Sequence, residues 1–236
     1  MIKRNIPNAL TCLNLSGGVL ALYFVLHLQE PVLAVYCILA SGIFDFFDGF
    51  VARWLNVKSA IGKDLDSLAD MVSFGVVPAA FAWHILTRHP GQIINSQNYG
   101  LLIVLLIPVA SALRLAKFNH DDSQSVNFKG IPTPSNAIFW LGMFYLSKEI
   151  VFSNLIIYIL LISMSLLLLI PFEVLSLKPD GKDLNTSNKF KISFVLIALS
   201  LLILFQLKAL AMIIILQIIL SLIHNNISKN ESLPTR

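Results

Sequence analysis

Apolar runs of about the length needed to cross a bilayer recur along this chain, separated by short polar breaks. A helix needs ~20 apolar residues to cross a hydrocarbon core of ~30 Å, and eight spans are expected, at about 8–28, 32–52, 65–86, 101–115, 136–146, 151–170, 192–207 and 209–223. The only other spanning architecture is a closed barrel, whose strands alternate apolar and polar residues; the run over 155–170 does not alternate. A water-soluble domain is excluded as well, because 56% of the residues are hydrophobic and only 13% charged. The expectation is therefore an all-α polytopic helix bundle forming one membrane domain over 1–236, a core at 5–150 and additional membrane helices at 151–236.

The fifth span is the weakest signal, being short and preceded by Pro132 and Pro134, although Pro at a first turn is compatible with a helix start. The first run follows Lys3 and Arg4 and could be read as a secretory signal. Asn8, Thr11, Asn14, Ser16, Gly17 and Gly18 interrupt it and no convincing cleavage site follows, so a first membrane helix is expected. Its polar residues then need an explanation.

With eight spans both termini share one side, and the basic residues sort unevenly. Lys3, Arg4, Arg53, Lys58, Lys63, Arg114, Lys117, Lys129, Lys178, Lys182, Lys189, Lys191, Lys229 and Arg236 fall on the side of the termini, and only Arg88, Lys148 and Lys208 on the other. The positive-inside rule makes the richer side, and both termini, cytoplasmic. The net charge of +4 is thus a matter of membrane topology, not of nucleic-acid binding, since no soluble face gathers the basic residues. Cys12 and Cys37 have no metal-ligand spacing and carry no information on redox compartment.

Against this apolar background stand Asp45, Asp48, Asp64, Asp66 and Asp70. Asp45 and Asp48 are spaced i, i+3 and Asp66 and Asp70 i, i+4, so each pair lies on one helical face. In an antiparallel hairpin turning near 56–60, residues equidistant from the turn oppose one another; Asp48 should face Asp66, and Asp45 should face Asp70. Asp64 lies on the opposite face near a helix start, where an acidic residue suits the helix dipole, and is left out of the cluster. Four converging carboxylates cannot all stay ionised without compensation. An all-oxygen set suits Mg²⁺ or Mn²⁺, and two such ions form a clamp for a diphosphate and its departing oxygen. Gly49 and Gly62 leave room where a nucleotide or the facing helix must come close. The plainer reading pairs the aspartates with Arg53, Lys58 and Lys63 at the interface; it suits any one of them better than four on two facing stripes.

The pattern Asp45-x2-Asp48-Gly49-x2-Ala52-Arg53-x8-Gly62-x3-Asp66-x3-Asp70 resembles, without departure, the signature of the CDP-alcohol phosphotransferases, membrane enzymes that displace CMP from a CDP-linked lipid with an alcohol. The resemblance implies that Asp45, Asp48, Asp66 and Asp70 hold two divalent metals on the diphosphate. It also makes Asp70 the candidate base for the attacking hydroxyl, places Gly49, Ala52, Arg53 and Gly62 with Asp48 at the CDP group, and implies a homodimer. Asn8 and Thr11 are helix-capping types that by the same resemblance contact the nucleotide.

Outside the signature, Ile6-Pro7-Asn8-x2-Thr11-x2-Asn14, Asp70-Met71-Val72-Ser73-Phe74-Gly75, Leu113-Arg114-Leu115-Ala116-Lys117-Phe118-Asn119 and Gly130-Ile131-Pro132-Thr133-Pro134 are similar to the phosphatidylserine synthase branch of that family, over about 5–140. Lys117 departs from the Arg frequent there, keeping the charge without the bidentate fork. The implied substrates are CDP-diacylglycerol and L-serine in the cell (inner) membrane, with the site on the cytoplasmic side. The same chemistry with glycerol 3-phosphate or inositol phosphate is the alternative, and a divalent-cation transporter a remote one. Arg114 is either a clamp for a carboxylate or phosphate or a topological anchor, and Ser73 bonds either the acceptor or the backbone of its own helix. Phe46, Phe47 and Phe50 are read as packing residues, and the five histidines as structural or solvated.

Overall fold

The structure, a computed structural model, describes residues 2–57, 60–87, 97–120, 130–172, 174 and 186–231. All regular structure among them is helical. Helices α1 (Ile2–Leu26) and α2 (Pro31–Trp54) pair along their lengths. Pro31 opens α2 where its missing N–H costs nothing, and the chain leaves α2 through Asn56, in the left-handed region at φ 51°. Next come α3 (Ala60–Asp70), a π-helical turn (Met71–Val76) and α4 (Val77–Thr87), in line as one apolar rod. Helices α5 (Gln97–Val104) and α6 (Leu106–His120) are separated at Leu105; Pro108 has no N–H to return to the carbonyl of Val104, which accounts for the break. The remainder is α7 (Thr133–Ser147), α8 (Asn154–Leu169) capped by Ser153, α9 (Thr186–Phe205), a 3₁₀ turn (Gln206–Lys208) and α10 (Ala209–Glu231).

Among the described residues, five helical stretches, not eight, are long and apolar enough to cross a membrane: Asn5–Leu26, Pro31–Trp54, Ile61–Thr87, Gly100–His120 and Lys191–Ile223. The expected spans at 136–146 and 151–170 correspond to α7 and α8, of 15 and 16 residues, or about 23 Å at 1.5 Å per residue. Those at 192–207 and 209–223 fall within the single 33-residue stretch. That stretch is not straight, because Gln206 has φ 52° and the helix breaks there. Lys58, Arg88, His89, Lys129, Lys178, Lys182 and Arg236, and residues 173 and 175–185 of the expected polar loop at 171–189, lie outside the described residues.

The weakest span in sequence is the central post of the bundle. In α7, Phe139, Trp140 and Leu141 have no exposed surface and Phe144 has 1%, and α7 touches α4, α8, α10 and the π turn. A helix enclosed by protein needs neither full bilayer length nor one lipid-facing stripe. Gly142 lets α10 approach at the backbone of Ala211, and Lys208 pairs with Glu149 beyond the end of α7. The adjoining core is formed by Val77, Phe81, Ile107, Ile157 and Leu161.

Three contacts set the helix directions around α7. The backbone at Gly100 lies against Trp83 and Tyr158, so the end of α4 and the start of α8 share one end of the bundle. At the other end, Ile131 N–H donates to the carbonyl of Leu167 at 3.1 Å. Helix α7 therefore starts where α8 ends and runs parallel to the α3–α4 rod, with the Phe81 and Phe144 rings 5.4 Å apart fixing the register.

Candidate active site

The first helix supplies the floor of the site, and its polar residues now have an account. Thr11 and Asn14 are buried, one turn apart on the face turned toward α2 and α3. The Thr11 hydroxyl donates to Asp48 Oδ2 at 2.6 Å, and Asn14 Nδ2 donates to Asp70 Oδ1 at 3.3 Å. One turn further, the Asn14 carbonyl accepts from Ser41 of α2 and from Ser73 of the π turn, each at 3.0 Å. Gly17 and Gly18 permit these approaches. A Cβ on Gly17 would stand 3.2 Å from the Cys37 carbonyl, and one on Gly18 3.0 Å from Ser73 Cα. Three helices are thus tied at the depth of one α1 residue.

Above this floor the acidic residues converge. Asp45, Asp48 and Asp66 present carboxylate oxygens within 4.8 Å of one another. The Asp45 and Asp70 carboxyls act directly on each other, and Asp48 is the charge that acts most strongly on Asp66. This is the pairing obtained by counting outward from the turn. Carboxylates gathered this closely need a proton or a cation among them, and an all-oxygen set this compact fits a hard divalent ion. Asp64 is exposed, away from the group. Among the described residues none of the four aspartates is in a salt bridge. Arg53 is exposed and acts on Asp48 only from a distance, and Lys63 turns away to donate to the Asn119 carbonyl at 2.7 Å.

The remaining candidates sit around this cluster in different ways. The Arg53 guanidinium folds back over Gly49, its Nη1 3.5 Å from where a Cβ would be, an ordinary contact distance. Asn8, Ala52 and Gly62 are half-buried on the three helices. Ser73 is fully buried and its hydroxyl is spent on the Asn14 carbonyl, so it bonds a backbone, but that of α1 rather than of its own helix. Arg114 is buried at 9% exposure, within electrostatic reach of Asp70, and its Nε has no partner among the described residues. Phe46, Phe47 and Phe50 are exposed and pack on one another instead of in the core. His27 stacks on Tyr23, and His84 meets Phe144 edge-on.

Asn14 and Ser41 were not among the site residues expected from sequence. A signal existed: 8, 11 and 14 share one face of α1, and 41, 45 and 48 one face of α2. The π turn directly after Asp70 had none. It adds one residue to a helical turn and redirects everything after Met71 relative to the aspartates.

The family model for CDP-alcohol phosphatidyltransferases matches residues 4–169, through the last residue of α8, and the chain belongs to that family. The matched segment thus takes in α8 as well as the 5–150 core expected from sequence. Similar proteins include the CDP-diacylglycerol–serine O-phosphatidyltransferase of Mycobacterium leprae, 34% identical over 61% of this chain and 48% of that protein. Two others of the same name are that of Bacillus subtilis, 36% identical over 55% of this chain and 69% of the relative, and that of Saccharomyces cerevisiae, 37% identical over 52% and 45%. The chain spans about half the length of the mycobacterial relatives it matches.

Proposed function

We propose that this protein transfers the phosphatidyl group of CDP-diacylglycerol to L-serine, giving phosphatidylserine and CMP. The observation that carries the reading is the convergence of Asp45, Asp48, Asp66 and Asp70 from two facing helices, with the names of the relatives pointing to serine. In this reading the serine hydroxyl attacks the lipid-bearing phosphorus, its proton passes to Asp70, and the phosphorus–oxygen bond to CMP breaks. Two divalent ions, Mg²⁺ or Mn²⁺, held by the four aspartates would neutralise the diphosphate and the charge developing on CMP. Thr11 holds Asp48 in place, Asn14 holds Asp70, and Asn8, Gly49, Ala52, Arg53 and Gly62 border the nucleotide. Arg114 receives the acceptor's carboxylate as a charge-assisted partner.

The proposed topology keeps eight crossings. It counts the short α7 and α8 and divides Lys191–Ile223 at Gln206, with both termini and the site at the cytoplasmic face of the cell membrane. The exposed apolar residues of α1 and α2, Leu13, Leu20, Ile43 and Phe46 among them, are available to membrane lipids and to a second copy in a homodimer.

Purified protein supplied with CDP-diacylglycerol, Mn²⁺ or Mg²⁺ and L-serine should release CMP, and chelation by EDTA should abolish release until metal is returned. Release with glycerol 3-phosphate or inositol phosphate and none with serine would overturn the acceptor assignment; metal uptake by proteoliposomes without CMP release would overturn the reaction. Thr11→Val is expected to lower apparent metal affinity by roughly 10- to 100-fold, the usual effect of losing a group that orients a ligand. A metal titration of CMP release checks this.

A further inference from the structure

Resting on that reaction, we infer that Thr133 and Asn136, in the first turn of α7, form the neutral wall of the acceptor pocket and read the amino-acid head group. Both are buried, at 1% and 0% exposure. Among the described residues the Thr133 hydroxyl, and both the oxygen and the nitrogen of the Asn136 amide, have no hydrogen-bond partner. A buried polar group without a partner keeps its full desolvation penalty, so a fully orphaned asparagine on the central helix calls for a ligand to satisfy it.

The helix registers bring these orphans to the depth of Asp70. Helix α7 runs parallel to the α3–α4 rod, and counting back from the Phe81–Phe144 contact, through a π turn that adds about one residue, puts Thr133 near the level of Asp70 and Asn136 near that of Ser73. Helix α6 runs antiparallel to the rod. Asn119 Nδ2 donates to Ser67 Oγ at 2.8 Å, and the Ser111 Cβ stands 3.1 Å from a Cβ built on Gly75. That register puts Arg114 beside Met71 and Val72, in keeping with its electrostatic reach to Asp70. The π turn touches both α6 and α7. Ser111, one helical turn from Arg114, is also buried with its hydroxyl unpartnered. Unsatisfied groups from two helices therefore flank the π turn just past the candidate base.

The chemistry of the set selects an acceptor class. An amide offers an acceptor oxygen for an ammonium and donor hydrogens for a carboxylate, and Arg114 adds one fixed cation. A phosphorylated alcohol carries nearly two negative charges and would call for further cations, whereas Ser111, Thr133 and Asn136 are neutral. A zwitterion carrying a hydroxyl matches one cation and neutral groups of both polarities.

The test compares wild type with Asn136→Leu and Thr133→Val by CMP release, varying L-serine at saturating CDP-diacylglycerol and the reverse. The KM for serine is expected to rise roughly 10- to 100-fold in Asn136→Leu, the scale of one or two lost buried hydrogen bonds, and by less in Thr133→Val. The KM for CDP-diacylglycerol should stay within about twofold. Thermal unfolding without serine should be unchanged or later in Asn136→Leu, because an apolar side chain removes an unsatisfied amide. An unchanged serine KM in both variants, or parallel rises in both KM values, would overturn the inference. If wild type itself releases no CMP with serine, the reaction assignment has failed instead, and that control is read first.

Discussion

Asp70→Asn is expected to reduce CMP release by about 10³-fold or more, the scale of losing a positioned general base together with one metal contact, while CDP-diacylglycerol still binds. The structure favours that separation. The asparagine oxygen still accepts from Asn14 Nδ2, now 3.3 Å from Asp70 Oδ1, and its amide nitrogen is able to donate to Asp45 where the carboxyl pair now stands. Floor and fold should survive while the proton acceptor is lost. Asp45→Asn changes a residue that shares the tight carboxylate group, so it should weaken metal dependence and nucleotide binding along with turnover. CMP release measured beside equilibrium binding of the CDP-lipid distinguishes the two variants; full activity in both would refute the cluster as the site.

Gly18→Val is expected to disable the protein through its packing. A Cβ at Gly18 meets Ser73 N at 3.1 Å and Ser73 Cα at 3.0 Å, backbone atoms that no rotamer change moves away. Overpacking of this kind costs ~1–3 kcal/mol and sometimes more. Here it pushes α1 from the π turn and strains the Asn14 contacts to Ser73 and Asp70. The expected result is earlier thermal unfolding in detergent together with roughly 100-fold or greater loss of CMP release, each ~1.4 kcal/mol at the reacting geometry being tenfold in rate. Gly42→Ala is the control, because nothing lies within 4 Å of a Cβ there. It should leave both measurements unchanged or slightly raise stability through helix propensity. Normal stability and activity in Gly18→Val would show that the close approach is not needed.

These two variants mark the limit of what could be read from the residues alone. The aspartate pairs were legible because helical spacing and a short turn leave little freedom: i, i+3 and i, i+4 define a face, and counting from the turn defines the partner. The exclusion of Asp64 followed from the same periodicity. The helical class was legible because a bilayer tolerates so few spanning structures. The build of the later spans was less legible, since length rules assume that each helix faces lipid, whereas α7 is largely buried within the bundle and α9 and α10 share one long apolar stretch broken at Gln206.

By itself, then, the sequence determined an all-helical membrane chain, the facing of Asp45 with Asp70 and of Asp48 with Asp66, and the family signature across them. These are local matters, set by periodicity within one hairpin. Only the tertiary structure decided that Thr11 and Asn14 hold two of those aspartates from α1, that Ser73 bonds the backbone of α1 rather than that of its own helix, and that α7 is the central post. Each of these depends on which helix packs against which, and at what depth. Those choices are made by close contacts at Gly18, Gly75 and Gly142 and by a π turn whose extra residue leaves no periodic trace in the chain.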